Sequence, residues 1–205
     1  MPFVISPRLI RKARPVGLRI AATLTGVALL YTEPLWADPS PIHDGLETLG
    51  GLLLAVGVLG RLWCTLYIAG KKSRQLVTDG PYALCRNPLY LFSFLLGAGM
   101  TLILQNAAVF AFFSVFFLAF HLMAISREER NLTEIFGAAY LDYCRQVPRL
   151  IPTLSNWRTV LDRQSMAVSW RHMARTMADS SAYLMALPLA ELLEIWHRNG
   201  ILPLG

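Results

Sequence analysis

Four stretches of the chain are apolar for long enough to cross a bilayer: about residues 16–36, 48–69, 89–104 and 107–125. A hydrocarbon core of about 30 Å takes roughly 20 helical residues, so this pattern predicts four transmembrane helices. Only Gln105 and Asn106 separate the third stretch from the fourth, which makes that pair an antiparallel hairpin. Small residues recur at four-residue spacing, Ala22 with Gly26 and Gly51 with Ala55, as close helix packing in lipid favours. Gly97 and Gly99 lie inside an apolar helix, without the strand and turn that a dinucleotide-binding glycine motif needs, and read as packing glycines.

Beyond residue 125 the period changes. Leu132, Ile135, Phe136, Ala139, Tyr140, Tyr143 and Val147 recur at three- and four-residue steps, with Arg130, Glu134, Asp142 and Arg145 between them, which predicts an amphipathic helix. Pro148 ends it, having no amide hydrogen to donate, and Gly137 inside it points to a bend or a close backbone approach. The tail interleaves Arg158, Arg163, Arg171 and Arg175 with Trp157, Leu161, Val168, Trp170, Met173 and Met177, the pattern of a surface-lying helix. Residues 182–196 hold Pro188, Glu191 and Glu194 and are too short for a span; they predict an interfacial or oligomer-contacting helix. The expected fold is therefore all-α: a polytopic membrane bundle of about four transmembrane helices with cytoplasmic amphipathic helices. Residues 1–152 form its core and 153–205 a helical tail.

Composition narrows the chemistry. Hydrophobic residues make up 55% of the 205 positions and charged ones 16%, where soluble proteins carry about a quarter. What remains outside the spans is too fragmented for a separate cofactor-binding domain, so a catalytic site must be built from helix ends and loops. The net charge of +6 is unevenly spread. Basic residues gather near Arg8 to Arg14, in the loop around Lys71, Lys72, Arg74 and Arg86, and after the fourth span, whereas residues 33–47 hold four acids and no Lys or Arg. By the positive-inside rule both termini and the middle loop are cytoplasmic. This distribution does not point to nucleic acid. The basic start, the apolar run and Leu35-Trp36-Ala37 also resemble a signal peptide, but the run is long for one. Cys64, Cys85 and Cys144 fall on the reducing side in no CxxC or Cys/His spacing, so neither a disulfide nor a metal site is expected.

Polar residues inside spans narrow it further. Arg61 lies roughly 12 Å from the cytoplasmic end of its helix, where a charge costs about 2.5–3.5 kcal/mol. It needs a partner or a wet cavity, or it snorkels to the headgroups. His121 shares a helix face with Ile125, Glu128 and Glu129, so a polar stripe runs from the two carboxylates into the bundle. Arg61 and His121 are thus the candidate substrate-binding residues. Adjacent Glu128 and Glu129 diverge by about 100° on a helix and cannot form a like-charged dyad; one is expected to pair with Arg127 or Arg130 while the other faces a ligand. In the loop, Asp79-Gly80-Pro81 is a tight-turn sequence, and Asn87-Pro88 opens the third helix, with backbone N–H groups there favouring an anionic group.

Two blocks then stand out: LVTDGPYALCRNPLY over residues 76–90 and EERNLTEIFGAAYLDYCRQVPRLIP over residues 128–152, joined by the hydrophobic hairpin. In order and spacing they resemble the isoprenylcysteine carboxyl methyltransferase and phospholipid methyltransferase family of integral membrane enzymes. The resemblance implies S-adenosylmethionine-dependent methyl transfer to a lipidic or prenylated acceptor, a carboxylate or an amine, at the cytoplasmic face. It implies that Gln75, Leu76, Val77, Gly80, Pro81 and Tyr82 line the cofactor pocket. Asn87, Pro88 and Tyr90 would meet it, Glu128 and Glu129 would hold its polar groups, and Arg86, Asn87 and Glu129 would be catalytic. Where the family carries histidine this chain has Asn87, which hydrogen-bonds but does not titrate. An amine acceptor would then need His121 or a glutamate as base. The acceptor would enter from the bilayer, and the tail could join two copies of the chain. Two other readings share the pattern: an NADPH-dependent membrane reductase of the sterol-reductase type, and a non-enzymatic membrane protein that keeps the fold.

Overall fold

A computed structural model of the chain describes residues 40–68, 75–153 and 170–184, with positions 188, 192, 195, 196 and 199. The apolar stretch at 16–36, its signal-peptide alternative and residues 154–169 lie outside the described residues. Those described form six helices and no strand: α1 Pro41–Ile68, α2 Pro81–Leu84, α3 Pro88–Ile103, α4 Ala107–Phe136, α5 Ala138–Gln146 and α6 Trp170–Leu184. The helices α1 and α4 are long and apolar enough to cross a membrane, while α3, at 16 residues, is shorter.

The most extensive packing joins α1 to α3. Leu54, Leu96 and Ile103 form its buried centre, with Val58 and Met100 against them. Glycines let the two backbones approach: a Cβ added at Gly50 would stand 2.8 Å from the Gly99 carbonyl, and one at Gly57 would stand 2.7 Å from Leu96. The close-packed stripe is therefore Gly50 and Gly57, not the Gly51 and Ala55 that spacing suggested, for Gly51 has nothing within 4 Å. Four-residue spacing alone does not say which helix face meets a neighbour. Gly97 and Gly99 do pack closely, against Phe113 and the α1 backbone respectively.

The hairpin forms as expected. Gln105, at φ 48°, turns the chain and donates its side-chain N–H to the His43 carbonyl at 3.1 Å. Asn106 caps α4 by accepting the Val109 N–H at 3.0 Å. On one side of α4, Phe94 of α3 meets Phe113 and Phe117. On the other, Phe112, Phe116 and Phe120 stack in an exposed ladder suited to lipid.

Rather than ending near residue 125, α4 continues to Phe136, where Gly137 breaks it at φ 55°. This is a bend and not a close approach, since nothing lies within 4 Å of where a Cβ would be. The bend shifts the helical phase. Tyr140, Tyr143 and Val147 of the predicted apolar face are buried with Leu132 and Phe136 against them, whereas Ile135 and Ala139 fall out to the surface. The α5 helix ends at Gln146, before Pro148. From the tail, α6 packs on α1 through Thr65 Oγ1 and Thr176 Oγ1, 3.0 Å apart, and leaves Trp170 and Met177 exposed.

Candidate functional site

The middle loop folds back on itself through a turn that only glycine fits. Gly80 has φ 59°, and a Cβ there would lie 2.3 Å from the Tyr67 ring. Pro81 then starts the short α2, whose last residues lead through Cys85 to Asn87 and Pro88 at the head of α3. Asn87 is the N-cap residue by position, yet its side chain does not cap the helix. Its carbonyl takes the Tyr90 and Leu91 N–H groups, which occupies part of the helix end expected to favour an anion.

Two main-chain hydrogen bonds fasten this loop to the segment after α5. Arg86 N–H donates to the Pro148 carbonyl at 2.8 Å, and Thr153 N–H donates to the Leu84 carbonyl at 3.0 Å. Tyr143 adds a third tie, donating its hydroxyl to the Tyr82 carbonyl at 2.6 Å. The two sequence blocks, separated by a long hairpin, are thus one structural unit.

Glu129 is the electrostatic centre of that unit. Its Oε2 lies 3.0 Å from Arg149 Nε and its Oε1 3.4 Å from Arg86 Nη1. Asn87 Nδ2 donates to Oε1 at 3.1 Å and also to the Arg149 carbonyl at 3.1 Å. The partners of Glu129 are therefore Arg86 and Arg149, not the helix neighbours Arg127 or Arg130, which point outward and are exposed. Arg86 also donates to Cys144 Sγ. Burial opposes the Arg86 charge, but Glu129 and Cys144 outweigh it and hold the guanidinium above its ordinary pKa. Burial pushes the Cys85 thiol up to about 11 and raises the Tyr82 and Tyr143 phenols.

Between this clamp and the helices α1, α3 and α4 lies a cavity of about 350 Å³. Gln75, Leu76, Val77, Tyr82, Arg86, Asn87, Tyr90 and Glu128 line it, as do Arg61 and His121 from within the spans. Glu128 accepts the Tyr90 hydroxyl at 3.0 Å. His121 stacks on Phe117 and meets the Tyr90 ring edge-on at 5.5 Å. Arg61 donates to Ser93 Oγ, so it has a partner inside the bundle. Gly80, Pro81, Pro88 and Glu129 are not on the cavity wall; the first three shape the backbone that carries it, and Glu129 stands behind it.

Tyr140, Tyr143 and Asn131 line the cavity too, and Arg149 closes the clamp, although the sequence did not single them out as site residues. The signal for the tyrosines was present: a buried phenol needs a polar partner or a cavity, and both stood on the predicted inward face. Arg149 lay within the second block, where its charge read as part of a basic cluster.

A profile of phospholipid methyltransferases matches residues 48–139, which carry the lining of this cavity apart from Tyr140 and Tyr143. The protein-S-isoprenylcysteine O-methyltransferase of Schizosaccharomyces pombe is 35% identical over 89 residues, 42% of this chain and 38% of that protein. The cobalt-zinc-cadmium resistance protein CzcN of Cupriavidus metallidurans is 33% identical over 184 residues, 90% of this chain and 83% of that protein. The chain belongs to the isoprenylcysteine carboxyl methyltransferase and phospholipid methyltransferase family. It is accordingly a membrane methyltransferase by family. Methanethiol S-methyltransferase 2 of Bradyrhizobium diazoefficiens, 40% identical over 84 residues, covers 41% of this chain and 31% of that protein. No solved structure matches the chain.

Proposed function

We propose that the chain transfers a methyl group from S-adenosylmethionine to a lipidic acceptor at the cytoplasmic membrane face, with four spans and both termini in the cytoplasm. The observation that carries this reading is the cavity itself, walled on one side by the first block and on the other by the second. Its 350 Å³ falls in the range of small-ligand sites, about 300–1,000 Å³. Two of its residues hold buried polar atoms with no partner among the described residues, the Tyr82 hydroxyl and Arg61 Nε. Such atoms are costly unless a ligand takes them up.

The donor supplies an already activated methyl group, so the protein's task is alignment and exclusion of water. Glu128 and the faces of Tyr82 and Tyr90 suit a cationic group, the carboxylate by charge and the rings by their quadrupoles. Leu76 and Val77 supply the apolar wall, and Gln75 and Asn131 the hydrogen-bonding edge. Glu129 acts as a positioning residue: by holding Arg86, Arg149 and Asn87 it fixes the loop that presents Arg86 and Asn87 to the cavity. Asn87 fills the family's histidine position as a hydrogen-bond donor and moves no proton. The acceptor reaches the cavity from the bilayer past Arg61 and His121. Family membership favours methyl transfer over the reductase reading, because the matched relatives named for a reaction are methyltransferases.

Purified protein in nanodiscs, incubated with tritiated S-adenosylmethionine and a lipid extract, tests this. Label in the lipid phase is expected. Absence of donor binding in nanodisc and detergent alike contradicts it. Reporter fusions at each terminus, active only on one side of the membrane, test the orientation.

A further inference from the structure

We propose that α6 docks on anionic phospholipid headgroups, with Arg171 and Arg175 taking the phosphates while Trp170 and Met177 enter the lipid beside them. Such docking requires neither donor nor acceptor and is independent of the methyl-transfer reading.

The packing of α6 fixes its level in the bilayer. Thr65 donates its hydroxyl to the Arg61 carbonyl at 2.8 Å, so Thr176, whose Oγ1 is 3.0 Å from Thr65 Oγ1, is the donor between the two threonines. Thr65 stands roughly 4.5 Å of helical rise before the end of α1 at Ile68. At 28 residues α1 is longer than a hydrocarbon core of about 30 Å requires, so this end emerges among headgroups. Arg175 adjoins Thr176, and Arg171 lies within about 8 Å of it along the helix, whatever the tilt of α6. Both arginines therefore stand at headgroup level.

Around α6, at about 100° per residue, three sides follow one another. Met173, Thr176 and Ser180 face the protein, with Ser180 only 1% exposed. Trp170, Met177 and Leu184 come next and are open, Trp170 at 77% and Met177 at 56%. Arg171 and Arg175 follow, both exposed, and neither forms an ion pair among the described residues. Asp179, the one acid of α6, stands about 180° from Trp170. The sequence pattern grouped Met173 with Trp170 and Met177, but only the latter two are turned outward. An open indole and thioether beside unpaired guanidinium groups suit a bilayer interface, where the apolar side chains enter the acyl boundary and the arginine stems reach back to phosphate. A phosphodiester takes a guanidinium in paired hydrogen bonds. An acidic protein segment would also satisfy the arginines, but at this level it would have to displace the bilayer that surrounds α1.

The test uses the full chain, one copy per nanodisc, in phosphatidylcholine alone or mixed with phosphatidylglycerol. Hydrogen exchange of the amides in α6 is the readout, and exchange in α3 the internal reference. Phosphatidylglycerol is expected to slow exchange in α6 and leave α3 unchanged, and high salt to reverse the slowing. Arg171→Gln and Arg175→Gln are each expected to reduce the slowing about fivefold, the weight of one basic side chain at an anionic surface, whereas Arg175→Lys retains most of it. Should a glutamine variant fail to fold, the salt dependence of the wild type still decides. Equal exchange in the two lipids, or slowing that survives high salt or both glutamine substitutions, overturns the proposal. Polyglutamate slowing exchange in phosphatidylcholine as much as phosphatidylglycerol does would assign α6 to an acidic protein, and slowing confined to discs that hold two copies would assign it to a second chain. Either result overturns the lipid contact.

Discussion

Asn87 Nδ2 lies 3.1 Å from Glu129 Oε1 and 3.1 Å from the Arg149 carbonyl, so one amide joins the first block to both ends of the second. A donor is needed there because both acceptors are fixed and one carries charge. Asn87→Ala is expected to lose about 1–3 kcal/mol of stability by stranding both acceptors. Asn87→Asp is expected to lose more, since it sets a second carboxylate against Glu129. Unfolding midpoints of the two variants in the same detergent check the order.

Glu129→Gln keeps the shape of the clamp and removes its charge, leaving Arg86 and Arg149 without a counter-ion. Because Arg149 is 39% exposed and partly solvated, the loss is expected near 2 kcal/mol and not at the upper limit for a buried pair. If Glu129 positions and does not touch the ligands, the variant shows a raised KM for both substrates that Arg86→Lys only partly reproduces. Steady-state kinetics alongside thermal unfolding separate these effects.

At Gly80 two constraints coincide, φ 59° and a Tyr67 ring 2.3 Å from where a Cβ would be. Gly80→Ala is expected to cost about 1–3 kcal/mol. Combining it with Tyr67→Ala removes the clash and keeps the backbone strain, so the double variant should recover only part of the loss. A double-mutant cycle on unfolding midpoints measures the share.

Burial raises the Cys85 thiol to about 11 and lifts the Tyr82 and Tyr143 phenols above their usual values. Raised folded pKa values mean that the folded state holds protons the unfolded state has released. Stability is therefore full below about pH 9 and falls as pH rises toward 11. Cys85→Ala is expected to flatten the early part of that fall. Unfolding midpoints from pH 7 to pH 11 check both the direction and the residue.

Much of this was legible in the sequence because membrane burial imposes strong local rules. The hairpin turn at Gln105 and Asn106, the break at Gly137, the stop before Pro148 and the packing role of Gly97 and Gly99 each follow from one residue's own chemistry. The side chains that line the cavity from residues 75–90 came from the resemblance of the two blocks, since the turn glycine and the helix-opening proline mark the loop's ends and not which side chains face inward. What spacing could not give was the direction of packing. It favoured Gly51 where Gly50 and Gly57 meet α3, and it expected one of Glu128 and Glu129 to pair with Arg127 or Arg130, whereas the partners of Glu129 come from distant segments. Tyr140 and Tyr143 read as apolar-face residues because a bend at Gly137, which sets which of them faces the cavity, changes phase in a way the period alone does not carry.

On the proposed function, residues 75–90 and 128–143 hold one donor molecule between them. Ultraviolet photolabelling with tritiated S-adenosylmethionine, followed by peptide mapping of the full-length protein in nanodiscs, tests it most directly. Label is expected on peptides from both segments, competed by unlabelled S-adenosylhomocysteine. Label confined to peptides outside both segments, or no competable label at all, would contradict it.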